Sequence, residues 1–261
     1  MTAPVPALPR QTRTQLWWEI GIVLALSLGA SAVYSVLTII RRVLAETALA
    51  DQSAGLNPTQ SPQEWIDLTY QLLGIAFALA PVALVLYLLW RPHESAFTRI
   101  GLDRTKPGQD LGRGMLLFAA IGVPGIAFYV IGRMLGITVD VSTSGLGDYW
   151  WSIPVLILSA LRAALLEEII VVGYLFTRLR DLGWNRWVII VAAAVLRGSY
   201  HLYQGFGPFL GNVAMGVLFG WMYTRFGRVA PLVVAHFLLD LASFLGYPLA
   251  VLLMPGIFGT A

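Results

Sequence analysis

Cysteine is absent from the 261 residues. That excludes a disulfide framework, a thiol nucleophile and a thiolate metal site. Charge is also scarce: Asp, Glu, Lys and Arg together make up 12% of the chain, about half the share in an average soluble protein. A soluble globule of this length needs a charged surface, and this chain cannot supply one. Lysine is nearly missing, with Lys106 the single example among 17 basic residues. That bias suits a GC-rich genome and carries nothing about activity. Disorder is excluded by what is plentiful, because 57% of the residues are hydrophobic and 12% aromatic, the reverse of a disordered composition. Mean hydropathy is +0.74. The composition predicts an integral membrane protein. Long unbroken apolar runs make it an all-α one, since barrel strands would alternate over about ten residues.

About eight apolar segments are expected. They are 17–40, 66–90, 115–135, 151–176, 187–203, 208–223, 229–245 and a short one at 247–258, broken by Pro255-Gly256. The fold class predicted is a polytopic transmembrane helical bundle. A tail at 1–14 precedes two N-terminal segments with a basic loop (15–114), and a core follows (115–261). Residues 1–14 with the first apolar run also resemble a signal peptide, with Ala30-Ser31-Ala32 as a cleavage site, but the run continues to Ile40.

Placing the N-terminus in the cytoplasm gathers twelve basic residues in inside loops, among them Arg91, Arg99, Arg104, Arg178 and Arg228. The outside loops hold Arg41 and Arg42, with Arg133 at the boundary. This is the positive-inside distribution, with the Arg41-Arg42 pair as its exception. All nine tryptophans fall at or near segment ends, as an interfacial belt would have them. The expected location is a bacterial plasma membrane, with membrane lipid and a membrane-bound peptide or protein as partners and no nucleic acid.

Seven titratable side chains remain inside the apolar segments: Arg162, Glu167, Glu168, Arg197, His201, His236 and Asp240. All lie in segments four, five and seven, and charge in hydrocarbon is costly enough to mark function. Arg197 and His201, and likewise His236 and Asp240, are four apart and share a helix face. Adjacent Glu167 and Glu168 point about 100° apart on an α-helix. From a rise of 1.5 Å per residue, Glu167, His201, His236 and Asp240 lie roughly 11 to 21 Å from the inside loops, near mid-membrane. Ser199 and His201 are two apart and do not face each other, which disfavours a Ser–His dyad. Two histidines with carboxylates can activate water directly as general bases or through a bound metal. His201, His236 and Glu167 would suffice for Zn²⁺ with one open position. The residues alone leave both routes open.

Three runs resemble the motifs of one family. Glu167-Glu168-Ile169-Ile170-Val171-Val172-Gly173 is similar to Glu-Glu-x-x-x-Arg-Gly. Ser199-Tyr200-His201-Leu202-Tyr203-Gln204-Gly205 resembles a second motif centred on one histidine. His236-Phe237-Leu238-Leu239-Asp240 resembles a third, His followed four later by Asn or Asp. Their order and spacing resemble the CPBP family (CAAX proteases and bacteriocin-processing enzymes, also called Abi). The resemblance implies an intramembrane endopeptidase, of the kind whose type II CAAX prenyl branch cuts after a prenylated cysteine. It makes Glu167 the general base that polarises water with help from His201. His236 and Asp240 would support the oxyanion or complete the polar cluster, and Glu168 would be secondary. The family is often labelled metalloprotease. Two positions depart from the pattern: the motif arginine is Val172 here, and the aromatic four before the histidine is Arg197. These departures favour two further readings, with Arg197 pairing the glutamates in an enzyme, or with the chain a scaffold or regulator of a partner. A transporter with a buried proton relay is another reading, though no internal repeat supports it.

Overall fold

The computed structural model describes residues 11–142 and 144–246, and they are almost entirely helical. The chain forms α1 (Arg13–Ala25), α2 (Leu28–Val43), β1 (Ser53–Gly55), α3 (Glu64–Ala78), α4 (Ala80–Leu89), α5 (Ala96–Ile100), α6 (Pro107–Met134) and β2 (Asp140–Ser142). It continues with α7 (Ser152–Glu167), a π-helical stretch Glu168–Tyr174, α8 (Leu175–Asp181), α9 (Arg186–His201), α10 (Phe206–Phe226) and α11 (Ala230–Leu241). The expected eight spans are not all present as such. Two continuous helical stretches, Glu64–Leu89 and Pro107–Met134, are long and apolar enough to cross a membrane, and α1 with α2 makes a third if that pair, bent by 56°, is one span. Among the described residues segment six forms one continuous helix, α10, while others are interrupted or shorter. Segment four changes register at Glu168, segment five keeps 16 helical residues, and segment seven yields a shorter apolar helix, Ala230–Gly246. The segment expected at 247–258 lies outside the described residues, as does Arg10.

The longer connections among the described residues gather at two poles. At the first, β1 pairs in parallel with β2, Ser53 opposite Asp140 and Gly55 opposite Ser142. Thr138 bridges Gly205, and the Tyr203 amide donates to Ser35 Oγ at 2.7 Å. Two of the three arginines that disturb the charge asymmetry are engaged there as hydrogen-bond donors. Arg42 donates to Gln52 Oε1 and to the Ser53 carbonyl, and Arg133 to the carbonyls of Ala50 and Thr138. Arg41 and Arg42 remain the exception to the charge rule. Trp65 and Trp150 meet at this pole with ring centroids 6.5 Å apart. Trp151 departs from the interfacial belt: it is buried and stacks on Tyr149.

The second pole holds the basic loop, and it is folded rather than a bare charge tether. Ser95 caps α5 by accepting from the Thr98 amide, and Ala96 and Ile100 are fully buried. Gly101 closes α5 at φ +67, where an added Cβ would sit 2.6 Å from the Arg228 Cα. Glycine is thus required both for the left-handed turn and for that approach. Arg228 clamps the loop by donating to Asp110 at 2.6 and 2.7 Å and to Asp103 at 3.0 Å. On α8, Arg178 donates to Glu19 at 2.6 Å and to the Leu88 carbonyl at 2.8 Å. These bonds fasten the N-terminal helices to the core, and one hydrophobic cluster accordingly runs from Leu16 to Ala235.

The Asp103 carboxyl is held down to about 2 from 3.8, first by the hydroxyl and amide of Thr105 and then by Arg228, against the opposing cost of burial. A depressed folded-state value gives stability that is complete above the ordinary value and is lost as pH falls toward the folded one. The melting temperature is therefore expected to drop between about pH 4 and pH 2, and Asp103→Asn should flatten that part of the profile. Superimposable acid limbs for the two proteins would refute the assignment.

Candidate active site

The site is built by α7 with its π extension, α9 and α11. The run Ile169-Ile170-Val171-Val172 is β-branched throughout, which crowds the preceding turn of an α-helix. From Glu168 to Tyr174 the backbone takes the wider π register. The i→i+5 bonding underwinds the chain, so consecutive side chains diverge less than in an α-helix, and π turns of this kind recur at functional sites. Glu167 and Glu168, expected to point well apart, instead reach the same guanidinium.

That guanidinium belongs to Arg197, 1% exposed. Its Nη1 donates to Glu168 Oε1 at 2.8 Å, and its Nη2 lies 3.3 Å from Glu167 Oε2. A planar fork with parallel donors suits two neighbouring carboxylates, which an ammonium would meet as a point charge. Room for the arginine comes from the α9–α10 seam. At Gly216 an added Cβ would lie 2.8 Å from the Ala194 Cα and 3.4 Å from Arg197 Cδ. The ring of Phe219 lies 5.2 Å from Cζ on the same seam, a cation–π contact that partly replaces lost water.

Both histidines join this cluster. His236 Nδ1 lies 2.7 Å from Glu168 Oε1 and 3.1 Å from Arg197 Nη2. Its Nε2 lies 3.5 Å from Asp240 Oδ2, one turn along α11. The ring is therefore held between two carboxylates, and Asp240 faces it as the i, i+4 spacing requires. His201 approaches from the end of α9, with Nε2 3.8 Å from Glu167 Oε2. That is too long for a direct hydrogen bond, and both ring nitrogens are buried with no protein partner. Buried polar atoms are normally satisfied, so His201 and Glu167 face each other across a gap of the kind a reacting group occupies.

Tyr200 is part of the same arrangement, and spacing alone does not mark it. Its hydroxyl donates to Glu167 Oε2 at 2.8 Å, and its ring lies 4.9 Å from that of His201. Glu167 is thus fixed by a phenol, a guanidinium and the neighbouring imidazole. Among the other residues weighed from sequence, Ser199 is half-buried and donates to its own helix at the Val195 carbonyl. Asn212 donates to the Pro208 carbonyl in the same helix. In α10, Gly216 and Gly220 allow close packing, whereas Gly211 is in ordinary contact. Arg162 is half-buried and its Nε has no partner.

Glu167, Glu168 and His236 each bring one ligand atom within 4.8 Å of the others. His201 is not in that group. The donor set nevertheless fits a metal poorly. The guanidinium already bridges both carboxylates at ion-pair distance, and a divalent cation in their midst would stand beside its fixed positive charge.

These helices coincide with the part of the chain that is similar to known proteins. No curated protein and no solved structure matches the chain. Residues 149–242, which hold all three motifs and every residue of the cluster, match the family model described as Type II CAAX prenyl endopeptidase Rce1-like, in agreement with the CAAX protease family that the motifs resemble.

Proposed function

We propose that the chain is an integral membrane endopeptidase that hydrolyses a peptide bond of a membrane-associated substrate with water activated by Glu167 and His201. The family match supports a CAAX-protease-like endopeptidase at the level of the family, and the apolar helices suit a membrane protein. The single observation that carries the finer reading is the facing pair: Glu167 Oε2 and the otherwise unpartnered His201 Nε2, 3.8 Å apart.

In this reading the water proton passes to the Glu167 carboxylate as the oxygen attacks the scissile carbonyl. His201 fixes the second contact of the water, and Tyr200 keeps the carboxylate from rotating away. The developing oxyanion lies toward His236, which Glu168 and Asp240 hold in place from opposite ring nitrogens. Glu167 then returns its proton to the leaving amine. An ionised Asp240 accepts but cannot donate, so its part is to orient His236. The pole with Arg178 and Arg228 faces the cytoplasm by the charge rule, and the apolar segments, including those whose helices are interrupted, lie within a bacterial plasma membrane. The carboxylates pair with Arg197, so water activation proceeds without zinc.

The test is cleavage of a peptide library by purified protein in detergent, with product ends mapped by mass spectrometry. Discrete internal cleavage that survives a strong chelator, in protein with no stoichiometric zinc by elemental analysis, is the expected result. Loss of cleavage on chelation with recovery on adding zinc would overturn the metal-free route. No cleavage of any peptide, including prenylated ones, would leave a scaffold as the better reading.

A further inference from the structure

We infer that the cavity between the start of α9 and the end of α10 holds the phosphate of an anionic phospholipid. The cavity is about 170 Å³ and is lined by Arg186, Trp187, Ile190, Trp221, Thr224 and Arg225. It lies at the second pole, remote from the Glu–His cluster along both helices. The two arginines differ from those discussed above. Arg42, Arg133, Arg178, Arg197 and Arg228 are each tied to a carbonyl or carboxylate. Among the described residues Arg186 and Arg225 have no carboxylate partner. Asp181, the nearest acid in the chain, is already shared by Arg178 and Arg99.

Aromatic rings hold both guanidiniums at the rim. Arg186 Cζ lies 5.2 Å from the Trp187 ring centroid, and Arg225 Cζ lies 5.4 Å from that of Phe226. Arg113 adds a third cation 4.1 Å from the same Phe226 ring. Asn185 caps α9 by accepting from the Trp187 amide, so the positive end of that helix dipole also points here. The sum is a pocket of single-sign charge, and two guanidiniums select an anion with several oxygens.

A lipid rather than a soluble anion is indicated by what lies beyond the pocket. On α9, Val188, Val191 and Val195 are exposed along one face, and on α10 Val217 and Leu210 are exposed along another. These helices pack against each other. The two apolar strips begin at the pocket and run toward the other pole for about 12 Å or more, the course of acyl chains from a phosphate seated at interfacial tryptophans. Basic pockets between membrane helices favour anionic over zwitterionic headgroups.

The inference rests on the membrane reading and is independent of the peptidase reading. The test is native mass spectrometry of the full-length protein in detergent, titrated with phosphatidylglycerol, phosphatidylcholine or inorganic phosphate. The expected result is one phosphatidylglycerol retained in preference to phosphatidylcholine. Binding should weaken about thirtyfold in Arg186→Gln/Arg225→Gln, from two lost cationic contacts near a membrane surface. Arg91→Gln/Arg104→Gln, exposed basic residues of the same pole, should bind as wild type. Equal retention of both lipids, an unaffected double variant, or full displacement by inorganic phosphate would each overturn it. Carbonate extraction of the same membranes separates failure of the membrane reading, in which the chain is released, from failure of the lipid site, in which it is not.

Discussion

Glu167→Gln is expected to reduce peptide hydrolysis by about 10²- to 10⁴-fold, the range a positioned general base contributes. Substrate binding should change little, so the loss should fall on kcat. The exchange keeps the shape and removes the basic oxygen. Glu167 Oε2 now accepts from Tyr200 at 2.8 Å and faces Arg197 at 3.3 Å, and the amide oxygen can still meet both. The protein should therefore remain folded, with an unshifted melting temperature or a small rise in it. Glu168→Gln is the informative comparison. That carboxylate is engaged by Arg197 Nη1 and His236 Nδ1 and is fully buried. Its loss should lower stability more and chemistry less than the loss of Glu167. Wild-type turnover in Glu167→Gln would end the proposal that this residue activates water.

The second large effect belongs to Arg197. Replacing it with Leu leaves Glu167 and Glu168 as adjacent carboxylates in a low-dielectric interior. Breaking a buried ion pair by removing one partner costs about 3–5 kcal/mol. Much of that cost should be recovered in Arg197→Leu/Glu168→Gln, where the orphaned charge is removed as well. A double-mutant cycle read by thermal unfolding in detergent measures the coupling, and additive losses would show that the guanidinium is not held by the glutamates. The CPBP motif carries its arginine where Val172 stands, inside the π-helical stretch, whereas this chain carries one at 197 on α9. The exchange Val172→Arg/Arg197→Phe tests whether those positions are alternative homes for one cation. A pair that behaves worse than either single change would show that they are not.

Legibility from sequence divided along physical lines. The membrane class and the three site helices were readable because hydrocarbon tolerates so few charges that the exceptions stand out. Helical spacing then put His236 with Asp240 and Arg197 with His201. The structure also pairs Arg197 with both glutamates, the arrangement weighed when Val172 was found in place of the motif arginine. Tyr200 was not readable as the partner of Glu167, since the bond spans 33 residues and a tyrosine beside an interfacial histidine is unremarkable. The π register had no clear mark either. A β-branched run is equally compatible with a buried α-helix or a strand. The β1–β2 pair is three residues on each side, below any periodicity. Among the described residues fewer long unbroken apolar helices are present than apolar segments, because apolar length alone does not mark where a helix is interrupted.

The π-helical stretch also sets a phase relation along its own helix. Glu167 precedes it and Glu168 opens it, while Tyr174 and Arg178, which both donate to Glu19 on α1, end or follow it. Deleting one residue between 169 and 172, with the winding otherwise kept, would rotate everything downstream by up to about 100°. Tyr174 and Arg178 would swing away from Glu19, or else the glutamates would swing away from Arg197. The chemistry of the bundle and the docking of its first helix are therefore keyed to a single register. A change in loop length can be absorbed elsewhere in this chain, but one in this stretch must be felt at both ends.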